Sequence, residues 1–308
     1  MKVLISCAAV TLIATPALAA QRLVASTPGA DVTIDAPSVS VVDVPFTATE
    51  TISGVGVTAQ WFPLSGDFDG GTFPFSMEVA ADVVSPDGQT IAWGINEGPP
   101  IAGEMSIADY PFADVQDGFV DAVGTGSFSF QWFDAGNTPG ISQLTDVTYH
   151  LLTDAPDVVT TLTSDVSSGP QWDRPFSIVG VSGLGPTFFD VVPFSPEVSG
   201  GYIFDSTVSD GDGFTFLYEG SFDPTDPTAN LLDLGLGNGF ASNGAADGQS
   251  IIEALLFEDT DYFFVTSQFA ASSGPQSYVT TVTGPGLIPE PTVLGPLAIG
   301  LLALRRRR

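Results

Sequence analysis

Apolar and polar residues alternate with a period of two along most of this chain, which puts successive side chains on opposite faces of an extended backbone. The clearest run is residues 72–83. There Phe73, Phe75, Met77, Val79, Ala81 and Val83 interleave with Thr72, Pro74, Ser76, Glu78, Ala80 and Asp82. Ser85-Pro86-Asp87-Gly88 then offers a turn, with proline preset for its second position and glycine free to take positive φ. Residues 89–95 are expected to return as the partner strand. The same pattern predicts strands at 126–133, with Phe128, Phe130 and Trp132 on one face, and at 146–152, 201–208, 214–219, 261–269 and 277–283. Ser209-Asp210-Gly211-Asp212-Gly213 is read as a hairpin turn between two aromatic strands. Within the body, helix is expected only as a short turn over residues 250–257.

Many short strands punctuated by Gly, Pro and Asp predict an all-β protein of one or two β-sandwich or jelly-roll domains, with a hydrophobic helix at each end. Breaks in the pattern at Asp154-Ala155-Pro156-Asp157 and Ser167-Ser168-Gly169-Pro170 set the divisions. They give domains at 21–155 and 175–286 around a linker at 156–174.

Both ends read as addresses. Residues 1–20 carry Lys2, an apolar run and then Ala17-Leu18-Ala19, the order of a secretory signal peptide cleaved after Ala19 or Ala20. At the other end, Pro289-Glu290-Pro291 precedes the apolar stretch 292–304 and then Arg305, Arg306, Arg307 and Arg308. The stretch is short against the ~20 residues of a usual membrane helix. The four arginines are expected to stay cytoplasmic and stop the tail during export. This triplet, short span and terminal basic cluster resemble the PEP-CTERM sorting signal, here at 287–308. The resemblance implies export from a Gram-negative bacterium, transient membrane insertion through the tail, processing by signal peptidase and an exosortase, and delivery to the cell surface, outer membrane or an exopolysaccharide matrix. The second half, with Gly201-Tyr202-Ile203-Phe204, Phe222-Asp223-Pro224, Asn230-Leu231-Leu232 and Thr260 to Val265, is similar to bacterial pre-peptidase C-terminal β-sandwich modules. In those modules an Asp-rich turn follows the middle leucines; here Leu234 to Gly239 stands in its place.

Charge narrows the partners. Asp and Glu number 36 against 7 Lys and Arg, and outside the two end segments the basic residues are Arg22 and Arg174. Without phosphate-neutralising Lys and Arg, nucleic acid is excluded as a partner, and anionic lipid surfaces are disfavoured. Such a field favours solubility and the gathering of cations. Cys7 is the single cysteine and lies in the leader, so no disulfide holds the body.

Candidate chemistry is sparse. His150 is the only histidine, and it sits on an expected strand, where a structural role is expected. Nucleophilic catalysis and zinc ligation both ask for more than one His without Cys can supply. Calcium is the ligand that acid-rich loops would take. Asp67 and Asp69 begin a run with Glu78 at an EF-hand's twelfth position, but Thr72 occupies the glycine position and Glu78 belongs to a strand. Asp210 and Asp212 form the second candidate pair. Trp61, Trp93 and Trp172 are the candidate platforms for stacking sugar rings. No catalytic residue is expected. The function expected is that of a non-enzymatic structural or interaction protein of the surface or matrix, associated with exopolysaccharide. The alternatives are a carbohydrate-binding or adhesive module and a glycosidase built on paired carboxylates.

Overall fold

A computed structural model describes residues 20–35, 37–65, 79–94, 110–135, 141–177, 180–209, 213–236 and 248–288. Every helix or strand among them is a strand, so the all-β expectation holds there. The terminal hydrophobic helices expected from the sequence lie outside the described residues.

The first body is built on two long strands, β3 (Ser40–Ser65) and β6 (Tyr110–Asp134), with β1 (Gln21–Pro28), β2 (Val32–Asp35), β4 (Val79–Val84), β5 (Thr90–Gly94) and β7 (Ile141–Asp154) around them. At ~3.3 Å per residue, Val44 and Trp61 would stand ~55 Å apart on a straight strand. Both nevertheless belong to one buried cluster. The sheet therefore folds over on itself, and the register slips between Thr47 and Thr51 and between Ile52 and Gly54 mark the bend. Opposite the bend, Asp121 takes φ 48° and Gly118 φ 127°. The early half of β3 pairs with the late half of β6, which also carries β4 and then β5. The late half of β3 pairs with the early half of β6 and with β7. Val44, Phe46, Val83, Phe128, Phe130 and Trp132 from one layer thus face Val55, Val57, Trp61, Leu144 and Tyr149 from the other. The turn after β4 forms as its residues suggest: Gly88 takes φ 87°, the Ser85 hydroxyl donates to Asp87 Oδ1 at 2.6 Å, and the Gln89 amide donates to Ser85 Oγ at 2.9 Å.

The second body comprises β8 (Val158–Asp165), β9 (Gln171–Trp172), β10 (Pro175–Ser177), β11 (Gly180–Val181), β12 (Thr187–Phe194), β13 (Gly200–Val208), β14 (Gly213–Glu219), β15 (Leu231–Leu236), β16 (Gln249–Leu256), β17 (Tyr262–Gln268) and β18 (Ser277–Gly284). One sheet runs β13-β18-β8, with β16 also on β13; the other runs β15-β14-β17-β12-β9. Tyr202, Phe204, Ile252 and Val282 of the first meet Leu217, Phe264, Tyr262 and Phe194 of the second. The rings of Phe204 and Phe264 stack at 5.1 Å. Two expectations are corrected here. Residues 156–174 are not a linker, because β8 pairs along its whole length with β18, and β9 pairs with β12. Residues 250–257 are not helical: β16 pairs with β13 from Gln249 to Leu256, and Ser250, Ile252 and Ala254 turn inward in alternation. The helix-forming Glu-Ala-Leu-Leu run yields to that pairing, as propensity does when tertiary contacts oppose it.

The two bodies share a seam. β1 pairs along β7 and, through Gln21 and Arg22, with Gly201 and Gly200 of β13. Ala113 and Val115 of β6 and Leu152 of β7 join the second body's core.

Both ends of the described chain meet at this seam. Ala155 N donates to the Ala20 carbonyl at 2.9 Å, Leu23 N to Ser199 O at 2.8 Å, and Glu197 N to Leu287 O at 3.2 Å. Gly284 pairs with Val158, at the start of β8. Gly200 holds the arrangement together by having no side chain. A Cβ there would stand 2.7 Å from Pro285 Cγ and closer still to the Gln21 carbonyl oxygen. Gly200→Ala is expected to destabilise the protein by about 1–3 kcal/mol, measured as a shift in the urea midpoint. An unchanged midpoint would show that the seam yields freely.

Candidate functional site

The three tryptophans offered as sugar platforms are 0%, 1% and 3% exposed for Trp61, Trp93 and Trp172, and this corrects the expectation. Their faces are spent on the cores, where burying large aromatic rings contributes strongly to packing. Trp61 lies on the inward row of β3 with Val55, Val57 and Ala59. Trp93 meets Trp132 edge-on at 5.2 Å. Trp172 packs edge-on against Phe216 at 5.2 Å and Phe222 at 5.4 Å, and its Nε1 donates to Ser267 Oγ at 2.9 Å.

Trp172 belongs to an aromatic layer on the outer face of the five-stranded sheet, with Phe189, Phe214, Phe216 and Tyr218. Since Leu217 points the other way into the second core, β14 is buried on both faces. Arg174 closes this layer. It is fully buried, with its guanidinium 3.7 Å above the Phe214 ring, and it donates to the Phe269 carbonyl from Nε at 2.9 Å and Nη2 at 2.6 Å, and to the Pro175 carbonyl from Nη1 at 2.9 Å. Burial pushes its pKa down to about 10, which leaves it charged at neutral pH. Weak hydration and a planar fork let guanidinium satisfy carbonyls and a ring face together more readily than an ammonium does. Among the described residues the ion pair is elsewhere, between Arg22 and Glu50 at 2.7 Å on the surface.

His150 is 2% exposed. Its Nδ1 is 2.9 Å from Ser26 Oγ and its Nε2 is 3.1 Å from Thr58 Oγ1, with the Phe257 ring 5.5 Å away. Burial lowers its pKa to about 4. The neutral ring donates from one nitrogen and accepts at the other, and two hydroxyls can meet both needs. A catalytic base wants a pKa near the working pH and an orienting partner such as a carboxylate; here the pKa is far below neutrality and the second partner is a threonine. The group joins β1, β3 and β7 as a structural knot.

A cleft of about 330 Å³ opens where the start of β6 meets the end of β14 and the start of β15, and Pro111, Glu219, Gly220, Asn230 and Leu232 line it. Partial desolvation raises the Glu219 carboxyl above the usual range. The turn beside it is fixed by left-handed backbone at Asn230 (φ 61°) and Gly220 (φ 75°), by Glu219 N donating to Asn230 O at 3.0 Å, and by Asn230 Nδ2 donating to Ser221 Oγ at 2.9 Å. Its described lining carries one carboxylate, whereas glycoside hydrolysis by the usual route takes two. The cleft was not legible in the sequence, because Pro111 of β6 reaches the β14-β15 hairpin only through packing between the two bodies, over more than a hundred residues of chain.

Asp67, Asp69, Asp210, Asp212, the Pro289-Glu290-Pro291 triplet and Arg305 to Arg308 lie outside the described residues. No group of three or more His, Cys, Asp or Glu stands together among the described residues.

No family model matches the chain, and no curated protein matches it. Solved structures similar to it include the CBM22-1-CBM22-2 tandem domain of Paenibacillus barcinonensis Xyn10C, 11% identical over 87% of this chain and 99% of that one, with a TM-score of 0.21. The STIV MCP is 10% identical over 87% and 100%, with a TM-score of 0.24. The Arthrobacter globiformis T6 isomalto-dextranase complexed with panose is 11% identical over 82% and 36%, with a TM-score of 0.23. Likenesses at this level assign this chain neither topology nor activity.

Proposed function

We propose that the protein is an exported, non-enzymatic structural or interaction protein of the bacterial surface or extracellular matrix, sorted through its C-terminal tail by an exosortase and associated with exopolysaccharide. The observation that carries this reading is the meeting of both chain ends at one seam. Ala20 lies beside Ala155, Leu287 beside Glu197, and Gly284 beside Val158. A leader before Ala20 and a tail after Ile288 therefore depart from the same pole, an arrangement that lets both labels address one membrane without the body between them. The charge of the body fits the same setting: all but Glu290 of the 36 acids lie between the two end segments, where they repel neighbouring copies and hold divalent cations near polyanionic sugars.

Replacing Pro289-Glu290-Pro291 by three alanines in the host tests the sorting step. The processed form is expected to disappear from the surface and matrix fractions while an unprocessed form accumulates in the membrane. Undiminished surface delivery would sink the reading.

A second reading, glycan binding, is favoured at one place. The Glu219 and Asn230 rim over Leu232 and Pro111 offers hydroxyl-bonding groups beside an apolar floor, which the buried tryptophans do not.

A further inference from the structure

We propose that the mature chain begins at Ala20 and that its new α-ammonium pairs with the Asp157 carboxylate. The inference rests on the export reading and fixes the bond at which the leader is removed. Ala20 is 2% exposed, and its nitrogen lies 3.0 Å from Asp157 Oδ1, 137 residues away in sequence. Its carbonyl accepts from Ala155 N at 2.9 Å. The next residue, Gln21, is fully buried and opens β1 between Asp154 of β7 and Gly201 of β13. The fold thus takes hold of the chain at Ala20. The leader points to the same bond: Ala17 and Ala19 stand three residues and one residue before it, the small residues that signal peptidase accepts. Cleavage one residue later would place Leu18 at the first of those positions and remove the group bonded to Asp157 and Ala155.

Hydrolysis breaks the bond between the Ala19 carbonyl carbon and Ala20 N. The hydroxyl of water goes to that carbon, leaving a carboxylate on the leader, and its proton goes to Ala20 N, which takes up a second proton at neutral pH. An amide that donated one hydrogen bond to the carboxylate becomes a cation with three donors facing it, so a full opposite charge is added to the contact. The carboxylate at this distance favours the protonated amine, the form that does not react with acylating reagents. One property of the sequence makes the group easy to follow. Lys2 is the only lysine, so removal of the leader leaves the α-amine as the sole primary amine in the chain.

The test uses protein recovered from the host surface or medium. Its amino-terminal sequence is expected to start at Ala20. An amine acylating reagent at pH 7 should add one label per chain, about threefold to tenfold more slowly than in Asp157→Asn. Unfolding the wild type in urea should abolish the protection, a comparison that stands even where the variant does not fold. A leaderless chain starting elsewhere, or equal rates for the folded and unfolded wild type, would overturn this assignment and leave export intact. A surface-exposed chain that still begins at Met1 would overturn both.

Discussion

Trp172→Ala is expected to lower the unfolding free energy by about 3–5 kcal/mol, the usual loss when a buried tryptophan leaves a cavity. Three effects converge at this residue. The indole packs against Phe189, Phe216 and Phe222, with ring centroids 5.1 to 5.4 Å away. Its Nε1 is bonded to Ser267 Oγ, which also lies 3.0 Å from Thr187 Oγ1 and donates to the Phe188 carbonyl at 3.0 Å, so truncation disturbs a fully buried polar group. It also sits on β9, a strand of two residues paired to β12. Trp172→Phe keeps part of the volume and loses the Nε1 donor, so a smaller loss of about 1–3 kcal/mol is expected. Urea unfolding of the two variants measures both. A Trp172→Ala loss under 1 kcal/mol would mean that the aromatic layer is not a cohesive core, and the tryptophan would return as a candidate surface group.

His150 is expected to make the fold acid-sensitive in a defined window. Its pKa in the folded protein is about 4, against 6.5 for the free side chain. The unfolded chain therefore binds the proton first as pH falls. Stability is complete above about pH 6.5 and declines down to about pH 4, by about 2–3 kcal/mol between pH 7.5 and 4.5. Protonation would bury a cation whose neighbours are the Ser26 and Thr58 hydroxyls and the Phe257 ring. His150→Gln removes the ionising group, and its stability should change less across that interval even if its stability at pH 7.5 is lower. Carboxylates contribute their own pH dependence to both proteins, so the difference between the two curves isolates the histidine. Parallel curves would show that the proton reaches the ring without cost.

Local pattern made part of this architecture legible. The Phe128, Phe130 and Trp132 face, the Ser85 to Gly88 turn and the strands later assigned as β13, β14, β17 and β18 follow from alternation and turn chemistry within ten residues. Pairing across long separations supplied the rest. β8 reads Val-Val-Thr-Thr-Leu-Thr-Ser-Asp, a run that suits a strand, but it lies between the Asp154 to Asp157 and Ser167 to Pro170 breaks, and only its ladder with β18 places it in a sheet. β16 carries residues that would suit a helix, and only its ladder with β13 makes it a strand. Alternation also cannot say whether a given aromatic row faces a core or solvent. That is why Trp61, Trp93 and Trp172 stood as candidate platforms, while Trp132 shares a row with Phe128 and Phe130. Arg174 carried no signal at all, because its ring and carbonyl partners are supplied by Phe214 and Phe269, 40 and 95 residues further along.

The position of β18 bears on how the molecule would carry mechanical load. It lies between β13 and β8, paired with each along its length, and its last residues lead directly to Ile288. Tension applied through a tail attached there would run lengthwise along the strand. The hydrogen bonds on both flanks would then share the force and have to slip together, rather than unzip one rung at a time. A body moored by that end would withstand the drag of a moving polymer better than one held from an edge strand.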